Sequence, residues 1–247
     1  MKKKILACLL ILFPILSLGI AKADTEKTKY VIASDSSFAP FVFQESSNQY
    51  TGIDMDLIKA IAEDQGFEIE ITNPGFDAAI NAVQSGQADG IIAGMSVTDA
   101  RKETFDFSDS YYTANTILGV KESSTISSYE DLNGKTVGVK NGTASQTFLT
   151  ENQSKYGYKI KTFSDAASMY DSLNTGSIDA VMDDEPVIKY SISQGQKLKT
   201  PIAGTPIGET AFAVKKGSNP ELLEKFNKGL ANLKANGEFQ KILDKYL

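Results

Sequence analysis

The sequence predicts an α/β protein built of two similar lobes. Three observations carry that expectation. Strand-like and helix-like segments alternate along the chain, a helix–glycine–strand unit recurs in its second half, and the C-terminal segment reads as a return to the first lobe.

Tyr30-Val31-Ile32-Ala33 reads as the first strand and ends at Asp35-Ser36-Ser37-Phe38. Gly52 to Asp56 leads into Leu57-Ile58-Lys59-Ala60-Ile61-Ala62, whose apolar residues fall at helical spacing and stop at Gly66. Phe67 to Ile71 alternates as a strand, Phe76 to Val83 reads as a second helix, and Gly90 to Ala93 as another strand. Asp77-Ala78-Ala79 with Gly86-x-x-Asp89-Gly90-Ile91-Ile92 is echoed by Asp165-Ala166-Ala167 with Gly176-x-x-Asp179-Ala180-Val181-Met182. The spacing differs by two residues, and any α/β fold repeats such units, so two lobes are the simpler picture rather than a proven duplication. The second lobe is expected over 115–206, with strand Thr136–Lys140 and a helix opening at Asn141 to Ser145. Strand Ala211–Val214 and a helix capped by Asn219-Pro220, carrying Leu222, Leu223, Phe226, Leu230 and Leu233 on one side, return the chain. The first lobe is thus 24–114 plus 207–247, which requires two crossovers and a hinge.

The leader excludes several functions. Lys2 to Lys4, the apolar stretch Ile5–Ile20 and Ala21-Lys22-Ala23 form the three parts of an export signal over 1–23. Pro14 and Gly19 interrupt a stretch already short for a membrane span. Removing Lys2, Lys3, Lys4 and Lys22, and no acid, takes the formal net charge from −6 to −10. Such a chain without a basic run is not expected to bind nucleic acid. The single cysteine, Cys8, lies inside the signal, and the chain has no histidine. Histidine-based triads, cysteine nucleophiles, disulfides and His/Cys zinc sites are therefore absent from the mature chain, and Cys8 sits too early for a lipid anchor.

In open α/β sheets, ligands bind beyond the carboxyl ends of strands. Four such ends offer Asp35 to Phe38, Gly94-Met95-Ser96 with Arg101 a turn later, Lys140 to Ser145, and Asp183-Asp184. That set suits a zwitterion, because an arginine can hold a carboxylate bidentately and an aspartate an ammonium. The helix opening at Gly142-Thr143-Ala144 adds backbone N–H donors. Phe38 and Phe76 fit the core as well as a ligand site. Asp54 and Asp56 are read as serving a helix N-terminus rather than a metal, and Asp183-Asp184-Glu185 lacks EF-hand spacing. Tyr111-Tyr112 is expected to pack at the hinge. No cofactor is expected.

Several stretches together resemble the polar amino-acid family of bacterial extracytoplasmic solute-binding proteins, and within it the glutamine-binding members. They are Ala33–Phe41, Gly52–Leu57, Ala93–Arg101, Phe105–Ser108 and Val139–Thr143. The resemblance covers the whole mature chain. It implies a periplasmic-binding-protein fold with two hinge crossovers, a periplasmic or extracellular location, and delivery of ligand to an ABC permease by a monomer. By position it implies Arg101 and the 142–144 loop, with Thr143 and Ala144, at the α-carboxylate, and Asp184, Gly94 carbonyl and Ser96 at the α-ammonium. Phe38 and Phe76 would flank the side chain, with Asp35 and Lys140 near its tip. Ser96 stands where threonine is frequent, Ala144 where glycine is, and Asp183 where some glutamine binders place histidine.

With Arg101 and Asp184 assigned to the zwitterion, Asp35, Asp183 and Lys140 leave a formal −1 if all three reach the pocket. That count ranks glutamine first, asparagine next, and glutamate and arginine behind. Two rivals share the fold: a cyclohexadienyl dehydratase-like enzyme, in which only carboxylates and Lys140 could serve as acid or base, and an amino-acid sensor domain.

Overall fold

The computed structural model describes residues 28–45 and 49–247; the expected export signal lies outside them. In chain order the elements are β1 (Lys29–Ala33), β2 (Phe43–Gln44), β3 (Tyr50–Thr51), α1 (Ile53–Gln65), β4 (Glu68–Thr72), α2 (Phe76–Ser85), β5 (Gly90–Ile91), α3 (Asp99–Lys102), β6 (Phe105–Phe107) and β7 (Tyr112–Lys121). A short 3₁₀ turn precedes β8 (Thr136–Lys140), α4 (Ala144–Tyr156), β9 (Lys159–Phe163), α5 (Ala166–Thr175), β10 (Ala180–Asp184), α6 (Glu185–Ser193), β11 (Leu198–Lys199) and β12 (Thr205–Thr210). The chain ends with β13 (Ala213–Lys215), α7 (Pro220–Asn236) and α8 (Glu238–Tyr246).

Two sheets organise these elements. The first has the order β4-β1-β5-β13-β6, the second β11-β7-β10-β8-β9 with β12 on the flank of β7. β1 runs parallel to β4 and β5, and β8 parallel to β9 and β10. The parallel strands are joined by crossover helices, as the alternating sequence requires. The second crossover returns the tail: β13 enters the first sheet, and α7 packs along α1 with Leu222, Phe226, Leu230 and Leu233 buried. Tyr246 of α8 closes on the same side, its hydroxyl 2.7 Å from Asp56.

β7 and β12 carry the chain between the sheets, and they pair with each other. Their antiparallel register runs from Thr205 opposite Thr116 to Thr210 opposite Tyr112, with an irregularity between Pro206 and Gly208. Thr210 also bridges Ser96, while Ala211 N–H donates to Met95 carbonyl at 3.1 Å. The hinge thus runs directly into the first sheet.

Two local expectations are corrected. α1 starts at Ile53 rather than Leu57 because its first free N–H groups find backbone acceptors: Ile53 donates to Pro40 carbonyl at 3.0 Å and Asp54 to Phe41 carbonyl at 2.9 Å. Asn219 precedes Pro220 as expected, but it sits at φ 50° and its side chain donates to Asp89 carbonyl at 3.0 Å instead of capping α7.

Candidate functional site

The carboxyl ends of β1, β5, β8 and β10 face one another across a narrow cleft. Asp35, Phe38, Phe76, Ala93, Gly94, Ser96, Arg101, Lys140, Thr143, Ala144 and Asp184 line that cleft. Ten of the eleven residues singled out in the sequence meet here; Ala93 joins them and Asp183 does not.

Arg101 is positioned by α3, a single turn whose N-cap Thr98 accepts Arg101 N–H at 3.3 Å. Its guanidinium donates to Ser96 carbonyl at 2.6 Å and, across the cleft, to Gly142 carbonyl at 2.9 Å. It lies 5.2 Å above the Phe76 ring, which fixes the plane of its fork. Burial pulls this guanidinium down to about 10 against the opposing charge of Asp184, so it stays cationic at neutral pH. Thr143 caps α4: its hydroxyl accepts Gln146 N–H at 3.2 Å and donates to Lys140 carbonyl at 2.8 Å. The open end of α4 therefore borders the guanidinium.

The aromatic walls belong to core and cleft at once. Phe38 stacks on Phe41 with ring centroids 5.4 Å apart, and Phe41 meets Tyr112 edge-on at 5.4 Å. Gly94 presses against both Phe38 and Phe41. At φ 57° it occupies the left-handed region, and a Cβ there would stand 2.5 Å from Phe38 Cε1.

Lys140 and Asp35 form an ion pair across the cleft, each side chain only 2% exposed. Lys140 also lies 5.2 Å over the Phe38 ring. Asp183 is the exception among the expected residues, for a simple reason. Successive side chains on a strand point to opposite faces, so on β10 only one of Asp183 and Asp184 can face the cleft. Asp184 does. Asp183 turns toward α5, where it accepts Tyr170 O–H at 3.1 Å, and it also accepts Asp184 N–H at 2.9 Å. Asp184 accepts Ser145 O–H at 3.2 Å, and Ser145 touches Thr116 of β7 at 2.8 Å.

Burial, then the charge of Asp183, pushes the Asp184 carboxyl up to about 8; Ser145, Arg101 and Lys140 oppose the shift. Burial also raises Asp183, to about 6, against Asp184 N–H, Lys140 and Tyr170. A cation placed at Asp184 therefore meets a carboxylate whose ionisation it strongly favours.

One polar residue at the site was read otherwise in the sequence. Asp54, fully buried, does more than serve the N-terminus of α1: it accepts Gly94 N–H at 2.6 Å and Tyr111 O–H at 2.9 Å. Asp56 likewise reaches across to Lys245 at 2.7 Å. No cluster of three metal-ligating side chains occurs among the described residues, and no helix among them is long and apolar enough to cross a membrane.

The profile of bacterial extracellular solute-binding proteins, family 3, matches residues 30–247. The second substrate binding domain of a putative amino acid ABC transporter from Streptococcus pneumoniae Canada MDR_19A is 90% identical, covering 88% of this chain and 99% of that one with a TM-score of 0.64. Substrate binding domain 2 of Lactococcus lactis GlnP, in open conformation, is 58% identical over 90% of this chain and 96% of its own, with a TM-score of 0.65. An ancestral arginine-binding protein bound to arginine is 37% identical, covers 90% of this chain and 99% of its own, and reaches a TM-score of 0.83.

Overlay and sequence identity thus run in opposite directions. Two rigid lobes set at different angles lower a whole-chain overlay without changing either lobe. In the present structure Arg101–Gly142 and Lys140–Asp35 make contacts across the cleft.

Proposed function

The chain belongs to the bacterial extracellular solute-binding proteins of family 3, and from that premise we propose that its ligand is glutamine, held between two lobes that close on it. The coarser statement needs no proposal: this is an amino-acid-binding component of an ABC importer. We take lobe 1 as 24–114 plus 207–247 and lobe 2 as 115–206, with Arg101 and the start of α4 on the α-carboxylate. Asp184, Ser96 and the Gly94 carbonyl receive the α-ammonium.

One observation carries the choice of glutamine. With Asp183 turned away, the far end of the cleft holds one anion and one cation, Asp35 and Lys140, already paired to each other. The formal −1 of the sequence count becomes zero. A neutral amide inserted between them accepts from Lys140 and donates to Asp35. A glutamate carboxylate faces Asp35, and an arginine guanidinium faces Lys140. Each leaves a buried charge opposed, at about 1–3 kcal/mol or more per unmet group. An arginine-bound structure at a TM-score of 0.83 makes arginine the competing ligand, and Lys140 is the residue that weighs against it.

A thermal-shift screen of the twenty amino acids, followed by calorimetry, tests this. Glutamine should give the largest shift, asparagine less, and arginine and glutamate less again. Lys140→Met should weaken glutamine binding about tenfold or more while moving arginine up the order. A largest shift with arginine or glutamate in the wild type sinks the glutamine reading.

The pH dependence follows from Asp184. Its carboxyl is raised to about 8 by burial, and a ligand ammonium against it lowers that value. The complex then holds fewer protons than the unliganded site, so binding releases protons. Affinity should weaken as pH falls from 8 toward 5.5 and level off above 8. Calorimetry in buffers of different ionisation enthalpy reads the released proton directly; an affinity that strengthens on acidification contradicts the Asp184–ammonium pairing.

A further inference from the structure

Asp54 has no place in the ligand shell just described, yet its carboxylate stands at the junction of ligand corner and hinge. Its Oδ2 accepts Gly94 N–H at 2.6 Å, and Gly94 lines the cleft. Its Oδ1 accepts Tyr111 O–H at 2.9 Å. Tyr111 immediately precedes the hinge strand β7, and its own N–H donates to Thr210 carbonyl, the last residue of β12, at 3.0 Å. One side chain, with no exposed surface, therefore ties the left-handed corner at Gly94 to the point where both hinge strands leave the first sheet.

We propose that Asp54 is a positioning residue that holds the Gly94 corner in the conformation presenting its carbonyl to the ligand ammonium and couples that corner to the hinge through Tyr111. The inference rests on the ammonium seat assigned above. Three features support it. Gly94 is the least constrained residue of the cleft by its own chemistry, having no side chain, so its orientation must be imposed from outside. A charge-assisted bond from a backbone N–H to a carboxylate is strong enough to impose it. And Tyr111 is held on both its hydroxyl and its N–H, so movement of the hinge strands is transmitted to the carboxylate rather than absorbed by a loop.

Asp54 also carries an unusual charge balance. Burial lifts its carboxyl to about 7, opposed by the bonds from Tyr111 and Gly94 and assisted by the charge of Asp35. Tyr111 and Asp35 are the titratable groups acting on it, and Asp35 is itself paired with Lys140. Asp54 thus changes charge near neutral pH, and its ionised form is the one that grips Gly94 harder and favours an ammonium nearby. That makes its action separable from simple packing.

The test uses Asp54→Asn, which preserves shape, and Tyr111→Phe, which removes one hydroxyl, with the whole chain in each case. In ¹⁵N-labelled wild type the Gly94 amide should move with pH about a midpoint near 7, and Asp54→Asn should abolish that movement. Both variants should raise Kd for the amino acid that binds best by about tenfold or more, mainly through faster dissociation. Asp54→Asn should also make the rise in affinity between pH 6 and 8 shallower, leaving the part set by Asp184. A Gly94 amide indifferent to pH, or a Kd and pH slope unchanged in Asp54→Asn, overturns the proposal. So does a loss of affinity no larger than the loss of thermal stability explains. A wild type that binds asparagine, arginine or glutamate best overturns only the glutamine reading, since the Gly94 titration and the variant Kd are read on whichever amino acid is bound.

Discussion

Arg101→Lys is expected to lose most of the amino-acid affinity of this protein, and Arg101→Ala at least as much. The guanidinium is held at three points, by Ser96 carbonyl at 2.6 Å, by Gly142 carbonyl at 2.9 Å and by the Phe76 ring beneath it. A ligand carboxylate therefore meets a fork already aimed, with no rotamer left to settle. Lysine offers a point charge on a flexible stem and cannot reproduce two parallel N–H donors, nor can it bridge to Gly142 while facing a carboxylate. Truncating one partner of a buried charge pair costs about 2–5 kcal/mol, roughly 30- to 5,000-fold in Kd. Calorimetry decides the matter: near wild-type binding in both variants places the carboxylate elsewhere in the cleft.

Gly94→Ala is expected to damage both stability and binding. A non-glycine residue at φ 57° costs about 1–2 kcal/mol on its own. The added Cβ lies 2.5 Å from Phe38 Cε1 and 3.2 Å from Phe41 Cγ, and these two rings are stacked on each other, with Tyr112 edge-on to Phe41. Overpacking of that kind adds about 1–3 kcal/mol. Gly134→Ala is the control: φ is 74° there, but nothing stands within 4 Å of the added Cβ. Thermal unfolding should show a small loss at Gly134 and a clearly larger one at Gly94, with ligand affinity lost only at Gly94. Equal losses at both positions exclude the Phe38 contact as the cause.

Much of this was readable in the chain. The four strand ends were legible because each apolar run stops at small or charged residues, and strands of one parallel sheet end on one side. Arg101 followed from its place a turn beyond Ser96. What was not legible depended on partners distant in sequence. Two adjacent aspartates close β10, and the sequence does not say which faces the cleft; Tyr170 holding Asp183 and Ser145 holding Asp184 settle it. Asp54 in a first helical turn looks like a partner of the helix dipole, and nothing near it in sequence announces Gly94 or Tyr111. The start of α1 was misjudged because backbone carbonyls of Pro40 and Phe41, rather than a side chain, receive its first N–H groups.

The pairing of β7 with β12 has a consequence for how tightly this protein holds its ligand. Two separate tethers would let one lobe twist and slide relative to the other, whereas a hydrogen-bonded ribbon bends across its plane and resists shear within it. With half of the proposed binding site on each lobe, the protein would act as a bivalent receptor folded around its own ligand. Once one half has engaged the amino acid, the other arrives at an effective concentration fixed by the ribbon. On that reading the stiffness of the ribbon, with its irregularity between Pro206 and Gly208, is expected to contribute to Kd alongside the ligand contacts. Substitutions in β12 are then expected to change affinity without altering which amino acid is chosen, because the proposed ligand contacts lie elsewhere in the chain.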